Sequence, residues 1–288
     1  MKLEDLGKFI PLENFRNPPP VVAVVGLTGV IGRLGGFRRG LSLAGLAETI
    51  ERAFKLRRLK AVALAVNSPG GSPVQAALIA KRIRDLADEA EVPVYAFAED
   101  VAASGGYWLT LAADEIYADE NSIIGSIGVV SGGFGFAQAI KRLGIERRLH
   151  TAGDRKAMLD PFRPEKPADV KHLQGLQTDI HESFQALVLE RRGERLKGKK
   201  KELFSGAFWT GRRALEMGLV DGIGDLRAVM RDKFGDRVKL QRVDQRVPFL
   251  RRRFGLSGPA AAGSAADTWA DSMLAAVEER MLWGRFGL

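Results

Sequence analysis

Two glycine pairs, each shortly after an apolar run, are the residues in this sequence with the clearest chemical potential. One lies in residues 67–72 (NSPGGS), and the other in residues 103–108 (ASGGYW), where Ser104 precedes the pair. Glycine lets the backbone approach a second group because it has no Cβ. Free backbone N–H groups at a helix start can bind an oxyanion. If the two pairs meet, Ser104 would be a nucleophile beside an oxyanion hole.

Ser104 also has a purely structural interpretation. A serine that precedes a helix is usually an N-cap, and Ser-Gly-Gly is a common turn, so Ser104 alone favours the structural role. The second glycine pair weakens that interpretation without removing it. A serine nucleophile also needs a base to take its proton.

The base is not evident from the sequence. His150 ends a charged stretch, and His172 and His181 lie in a polar segment, so a Ser-His-Asp triad stays open with little support. A lysine can serve instead when an apolar pocket keeps it neutral. There is no S-x-x-K arrangement, so such a lysine would come from another part of the chain.

Several other chemistries are excluded by motif. The chain has no cysteine, no G-x-x-x-x-G-K-[ST] loop, no H-E-x-x-H and no G-x-S-x-G. The glycines of VVAVVGLTGVIG have the wrong spacing for a dinucleotide fingerprint. We expect no cofactor and no metal.

Apolar runs alternate with helical patterns along the first half of the chain. Residues 21–26, 61–66 and 92–98 predict buried strands, and further strands are predicted at 115–118, 123–130, 145–149 and 237–243. Helices are predicted at 42–56, at 72–90 with a Ser72 cap, after Ser104, and at 167–190, 211–217 and 225–233. This alternation is typical of an α/β fold with a largely parallel sheet.

Five ordered segments carry a resemblance to a known family. In chain order they are NSPGGS, ASGGYW, GSIGV, AGDRKAMLDPF and FWTGRRALEMGLVDGIG. They resemble the signal peptide peptidase A family (SppA, protease IV, SohB) over roughly residues 20–245. The resemblance implies a Clp-protease/crotonase-like spiral of β-β-α units in one copy, a serine peptidase activity and a Ser-Lys dyad.

Site residues carry over by position in those motifs. Ser104 matches the nucleophile and Lys156 the general base. Gly71 and Gly105 match the oxyanion hole, and Ser126 the hydroxyl thought to hold the lysine. The resemblance also implies cleaved signal peptides or other unfolded apolar peptides as substrates, cut through an acyl-enzyme, and a ring-like homo-oligomer in which a neighbouring subunit can supply the lysine.

The charge and hydropathy of the sequence indicate which kinds of partner the protein could bind. The net charge is +9, concentrated in residues 191–201 and 246–253, and neither run carries a known nucleic-acid-binding motif, so we expect no nucleic acid. No segment reads as a signal peptide or a spanning helix. We therefore expect a cytoplasmic protein, with peripheral contact at the inner membrane as a variant of that expectation.

The predicted organisation has three parts. They are an N-terminal tail (1–20), a peptidase domain (21–245), and a basic linker with an amphipathic C-terminal helix (246–288). Two alternative functions stay open. One is a crotonase-like acyl-CoA enzyme, which would need a carboxylate in the crevice, and the other is a non-catalytic scaffold at a membrane.

Overall fold

The computed structural model describes residues 18–32, 40–244, 276–277 and 279–288. Most of the predicted N-terminal tail and of the basic linker lies outside the described residues, so the three-part organisation stays a prediction. The described residues of the C-terminal segment are helical as far as residue 284. The predicted α/β class is confirmed.

Strands and helices alternate through the first half of the chain. The strands are β1 (Val21–Thr28), β2 (Leu59–Ser68), β3 (Val94–Ala103), β4 (Glu115–Ala118), β5 (Ile123–Gly125), β6 (Phe208–Thr210), β7 (Gly222–Ile223) and β8 (Lys239–Arg242). The helices are α1 (Leu43–Phe54), α2 (Pro73–Ala90), α3 (Gly105–Thr110), α4 (Ala137–Arg142), α5 (Pro167–Arg192), α6 (Lys200–Leu203), α7 (Gly211–Glu216) and α8 (Leu226–Phe234).

The eight strands form one mainly parallel sheet in the order β6-β5-β3-β2-β1-β8, with β4 beside β3 and β7 beside β4. Strand β3 has two successive partners: its first half pairs with β4 and its second half with β5. Only the β5–β6 pair is antiparallel among these pairings. The carboxyl ends of β1, β2, β3 and β5 therefore lie along one edge, where sites form in such sheets.

Two serines cap helices, and the sequence predicts the cap at Ser72. The Ser42 side chain accepts a hydrogen bond from Gly45 N, and the Ser72 side chain accepts one from Gln75 N ahead of Pro73. Each cap satisfies an amide at the helix start.

Two strand predictions were wrong. Residues 145–149 form no strand, and the strand predicted at 123–130 ends at Gly125. Residues 145–149 (IERRL) are mostly charged, whereas residues 123–130 (IIGSIGVV) are largely apolar. However, Ile145 is 55% exposed and Val130 is 71% exposed, so neither packs against the sheet in this chain. Tertiary context here overrides local propensity.

Each face of the sheet has its own helical cover. On one face, α1, α2 and α3 bury apolar side chains against alternate residues of β1 and β2, including Leu46, Ile79, Leu109 and Val25. On the other face, α8 packs Met230 against a smaller cluster. Burial on both faces explains why the strands read as near-continuous apolar runs.

Residues 129–166, which we call the arm, leave the body of the protein. The next buried residue after Ile127 is Phe184, so every residue of the arm is at least partly exposed. The arm folds upon itself: Phe136 lies 5.6 Å from Phe162 between ring centroids, and Phe136 N donates to Pro161 O. Large apolar side chains remain exposed on it, namely Val130, Phe134, Leu143 and Ile145.

A buried ion pair holds the carboxyl end of α5 to the body. Arg192 is 2% exposed, and its Nη1 lies 2.7 Å from Asp221 Oδ2, which also accepts from Ile116 N. Burial alone would raise the pKa of Asp221, but the hydrogen bonds from Arg192 and Ile116 outweigh it and hold that pKa below its usual range. The pair contributes stability while Asp221 is ionised.

Replacing Asp221 with asparagine should destabilise the protein by about 2–4 kcal/mol at neutral pH, because Arg192 would be left buried without a counter-charge. Because the folded pKa is lowered, the ionic contribution is complete above the ordinary aspartate pKa of about 3.9 and is lost as pH falls through the folded value. Urea unfolding at pH 7 and pH 3 measures both effects.

The matched control is Asp85→Asn, which breaks the exposed Lys81–Asp85 pair on α2. It should change the free energy of unfolding by less than about 0.5 kcal/mol. An Asp221→Asn protein as stable as this control at pH 7 would show that the buried pair does not anchor α5.

Candidate functional site

Ser104 occupies a strained turn between β3 and α3. Its φ is 54° and its ψ is −123°, a backbone conformation that non-glycine residues rarely adopt. Its N–H donates to Gly125 O at 2.8 Å, and its carbonyl accepts from Trp108 N at 3.0 Å. Although Ser104 stands at the N-cap position, its side chain makes no capping hydrogen bond. The hydroxyl is therefore not used as a cap, which removes the main argument for a purely structural serine.

The first glycine pair lies directly against this turn. A Cβ on Gly70 would be 2.8 Å from Ser104 Cβ and 2.9 Å from Gly105 N. A Cβ on Gly71 would be 2.1 Å from Ile31 O. Both glycines have positive φ, 104° and 138°. The structure therefore brings the two predicted glycine pairs together, and it requires glycine at both positions of the first pair.

The Gly71 amide is directed away from β1 and towards the second pair. In the parallel bridge between Ile31 and Gly71, the partners of Ile31 are Gly70 O and Ser72 N, so Gly71 N–H points to the other side. The Cβ position of Gly105 is 3.4 Å from Gly71 N. Gly105 is also the first residue of α3, where amides have no partner within the helix. Two donors thus lie beside Ser104, as an oxyanion hole requires.

Ser126 lies at the end of the neighbouring strand β5. Gly125 pairs with Ala103, so Ser126 is in register with Ser104 across two strand ends. Its φ is 52°, it is 5% exposed, and its N–H donates to Ala207 O at 2.7 Å. The ring of Trp209 covers Gly125 at 2.8 Å from the position that a Cβ would take. The structure therefore places both serines at the same edge.

Lys156 is not part of this cluster within one chain. It lies in the arm, its side chain is exposed, and its N–H donates to Gly153 O at 3.1 Å. A lysine that acts as a base must be neutral, and neutrality requires an apolar surrounding. The isolated chain does not give Lys156 that surrounding.

His181 is a neighbour of the site that the sequence does not reveal. Its Nε2 lies 3.2 Å from the carbonyl oxygen of Ile127, the residue after Ser126. From the sequence, His181 is predicted to lie in a polar segment of a helix. The signal that could have found it is the apolar spacing of Phe184 and Val188, which marks the buried face of α5.

A groove of about 480 Å³ lies on the other face of the sheet, where α8 begins. Its lining includes Val24, Ala65, Phe97, Leu226 and Arg242, and none of the predicted site residues. The catalytic candidates therefore lie at the strand edge rather than in this groove.

Comparison with known proteins decides the family. Residues 87–237 match the model of peptidase family S49. The chain belongs to this family. The match includes Ser104, Ser126 and Lys156, and it confirms the predicted resemblance to signal peptide peptidase A.

Two relatives of this S49 chain differ in name and in the share of their length that it covers. The serine protease SPPA, chloroplastic, of Arabidopsis thaliana is 30% identical over 71% of this chain and 31% of that protein. A Brucella abortus protein named Na(+)/H(+) antiporter NhaA is 47% identical over 98% of this chain. This chain spans only 39% of that Brucella protein.

The antiporter name belongs to the longer Brucella protein. Within the described ranges, no helix of the S49 chain has the length and hydropathy needed to cross a bilayer. Among solved structures, a mutant of the 1510-N membrane-bound stomatin-specific protease is 15% identical, with a TM-score of 0.45, over 77% of this chain and 93% of that one.

The contact between the glycine pair and the Ser104 turn can be tested by Gly70→Ala. The new methyl group would collide with Ser104 and force its backbone to move, so labelling of Ser104 by a fluorophosphonate should fall by at least about tenfold. The free energy of unfolding should fall by about 1–3 kcal/mol. Labelling is measured by intact-protein mass spectrometry.

Gly175→Ala is the matched control, because Gly175 lies within α5 with open space around its Cβ position. It should leave labelling unchanged and stabilise the helix slightly. Equal labelling of the Gly70→Ala protein and this control would contradict the assigned geometry.

Proposed function

We propose that this S49 chain is a serine endopeptidase that uses a Ser104–Lys156 dyad. The observation that supports it best is the strained Ser104 turn, with an uncapped hydroxyl and the Gly71 and Gly105 amides beside it. A reactive hydroxyl next to two convergent N–H donors is the arrangement that acyl transfer needs.

In the proposed reaction, neutral Lys156 takes the hydroxyl proton as Ser104 Oγ attacks the peptide carbonyl carbon. The carbonyl oxygen becomes an oxyanion and accepts hydrogen bonds from Gly71 and Gly105. Collapse breaks the C–N bond, and the lysine returns the proton to the leaving amine. A water molecule then attacks the acyl-enzyme, giving its proton to Lys156, and the Ser104 hydroxyl is restored.

Ser126 has the role of holding the lysine amine. Its hydroxyl is nearly buried at the end of β5, in register with the end of β3 that precedes Ser104. A hydroxyl at this place can accept a hydrogen bond from the amine and direct its lone pair towards Ser104.

The proposal includes a homo-oligomer in which the arm carries Lys156 into a neighbouring subunit's site. Two observations support it. Lys156 is exposed in the single chain, and the arm also exposes Phe134, at 72%, and Leu143, at 73%. Large exposed apolar patches of this kind mark interaction surfaces. Burial of the arm against a second copy would give the amine an apolar surrounding.

The proposed substrates are cleaved signal peptides and other unfolded apolar peptides. A peptide must lie extended along the strand edge to bring its carbonyl over Ser104, and folded segments cannot do so. The small residues at this edge leave room for main chain rather than for bulky groups.

The dyad and its location are tested by two single variants and their mixture. Ser104→Ala and Lys156→Ala should each reduce cleavage of a fluorogenic apolar peptide by at least about 10³-fold while retaining the thermal midpoint. If the lysine comes from a neighbour, denaturing the two variants together and refolding them at equal amounts should restore about a quarter of wild-type activity, because random assembly pairs intact residues at that frequency.

A lysine supplied within one chain would give no recovery, because every chain in the mixture lacks one member of the dyad. Lys60→Ala, which removes an exposed lysine of β2, is the control and should cleave at the wild-type rate. Near-wild-type cleavage by Ser104→Ala would contradict the proposed function itself.

A further inference from the structure

We infer that His181 is a positioning residue that holds Ser126 in its working orientation, an inference that rests on the proposed function. His181 lies on α5 and touches neither Ser104 nor Lys156 through any contact recorded among the described residues. Its ring instead reaches the main chain beside Ser126.

The contact with Ile127 places a proton on one nitrogen of the His181 ring. Because the carbonyl of Ile127 can only accept, Nε2 at 3.2 Å carries a proton and donates it. Gln185, one turn along the helix, lies beside the same ring, with its Nε2 at 3.2 Å from both Nδ1 and Nε2. The ring is therefore held between its own helix and the Ile127 carbonyl.

The turn that His181 contacts needs external restraint. Ser126 has a positive φ of 52°, which a serine adopts only when its surroundings impose it. Ala207 O accepts its N–H, and the ring of Trp209 covers the preceding Gly125. His181 acts on the other side of Ser126, through the carbonyl of a fully buried residue, Ile127. Contacts thus restrain the turn at Gly125, at Ser126 and at Ile127.

The same face of α5 also holds the helix that Ser104 begins. Phe184, three residues after His181, stacks on Trp108 of α3 at 4.6 Å between ring centroids with an angle of 25°. Trp108 N in turn donates to Ser104 O. Neighbouring positions on one helix face therefore fix the nucleophile turn and the Ser126 turn relative to each other. The relative placement of the two hydroxyls depends on both contacts.

The closing experiment compares variants of His181 in the full-length protein. His181→Phe keeps a ring but removes the donor, so kcat for a fluorogenic apolar peptide should fall about 5–10-fold with KM unchanged within about twofold. His181→Gln keeps a donor at a similar reach and should restore kcat to within about twofold. His172→Phe, on an exposed part of the same helix, is the matched control and should be unchanged.

Dependence on Ser126 separates positioning from general structural damage. If His181 acts through Ser126, His181→Phe should cost nothing further in a Ser126→Ala background, whether kcat or the rate of fluorophosphonate labelling is measured. An additional 5–10-fold loss in that background would overturn the inference. Thermal midpoint and particle size, measured on every variant, exclude loss of folding or assembly as the cause.

Each remaining outcome also supports or overturns the role of His181. Wild-type kcat in His181→Phe, with activity still dependent on Ser104, overturns the inference and leaves the proposed function standing. Cleavage that does not depend on Ser104 overturns both. Should His181→Phe fail to fold, His181→Gln and His181→Asn provide the comparison, because the asparagine amide is too short to reach Ile127. Equal kcat in these two variants overturns the inference.

Discussion

The close approach of Gly70 to the Ser104 turn is the contact on which the rest of the site depends. There the ends of β2 and β3 come so near that a methyl group at Gly70 would lie 2.8 Å from the serine Cβ. The turn itself is strained, at a cost of about 1–3 kcal/mol for such a conformation. It persists because Gly125 O and Trp108 N hold it on either side. A parallel sheet makes this possible because its strands end together at one edge.

Helix α5 connects that edge to the remainder of the molecule. Its last third buries one face, at Phe184, Val188 and Arg192, and is bonded to the body through Arg192 and Asp221, while its first part is exposed and continues from the arm. Between these regions, Phe184 and His181 contact the elements that carry the two serines. Helix α5 therefore connects the arm to the elements that carry both serine turns.

The sequence predicts the parts of the fold that depend on local pattern. The buried strands, the Ser72 cap and the long helix that became α5 all follow from apolar spacing and capping residues. The strand predicted at 145–149 fails because its apolar residues face outward in an arm that has no buried residue. An apolar pattern predicts that a residue will be buried, but it does not show whether the same chain supplies the surface that buries it.

The candidate site likewise has residues that the sequence predicts and residues that it does not. The glycine pairs and Ser104 can be predicted because close backbone approach restricts residue type, and the structure brings them together. The spacing of Phe184 and Val188 marks the buried face of α5 beside His181, but it does not name the partner, because the Ile127 carbonyl lies 54 residues earlier in the chain. Lys156 could be identified only through the family motif. None of the arm residues near it is buried, so the arm of one chain does not form an apolar pocket around its amine. Under the proposed function, assembly buries the arm against a second copy. The same burial would give the Lys156 amine the apolar surrounding that a base needs. Catalysis would then be confined to the assembled particle, because only there would the amine both reach Ser104 and lie in an apolar surrounding.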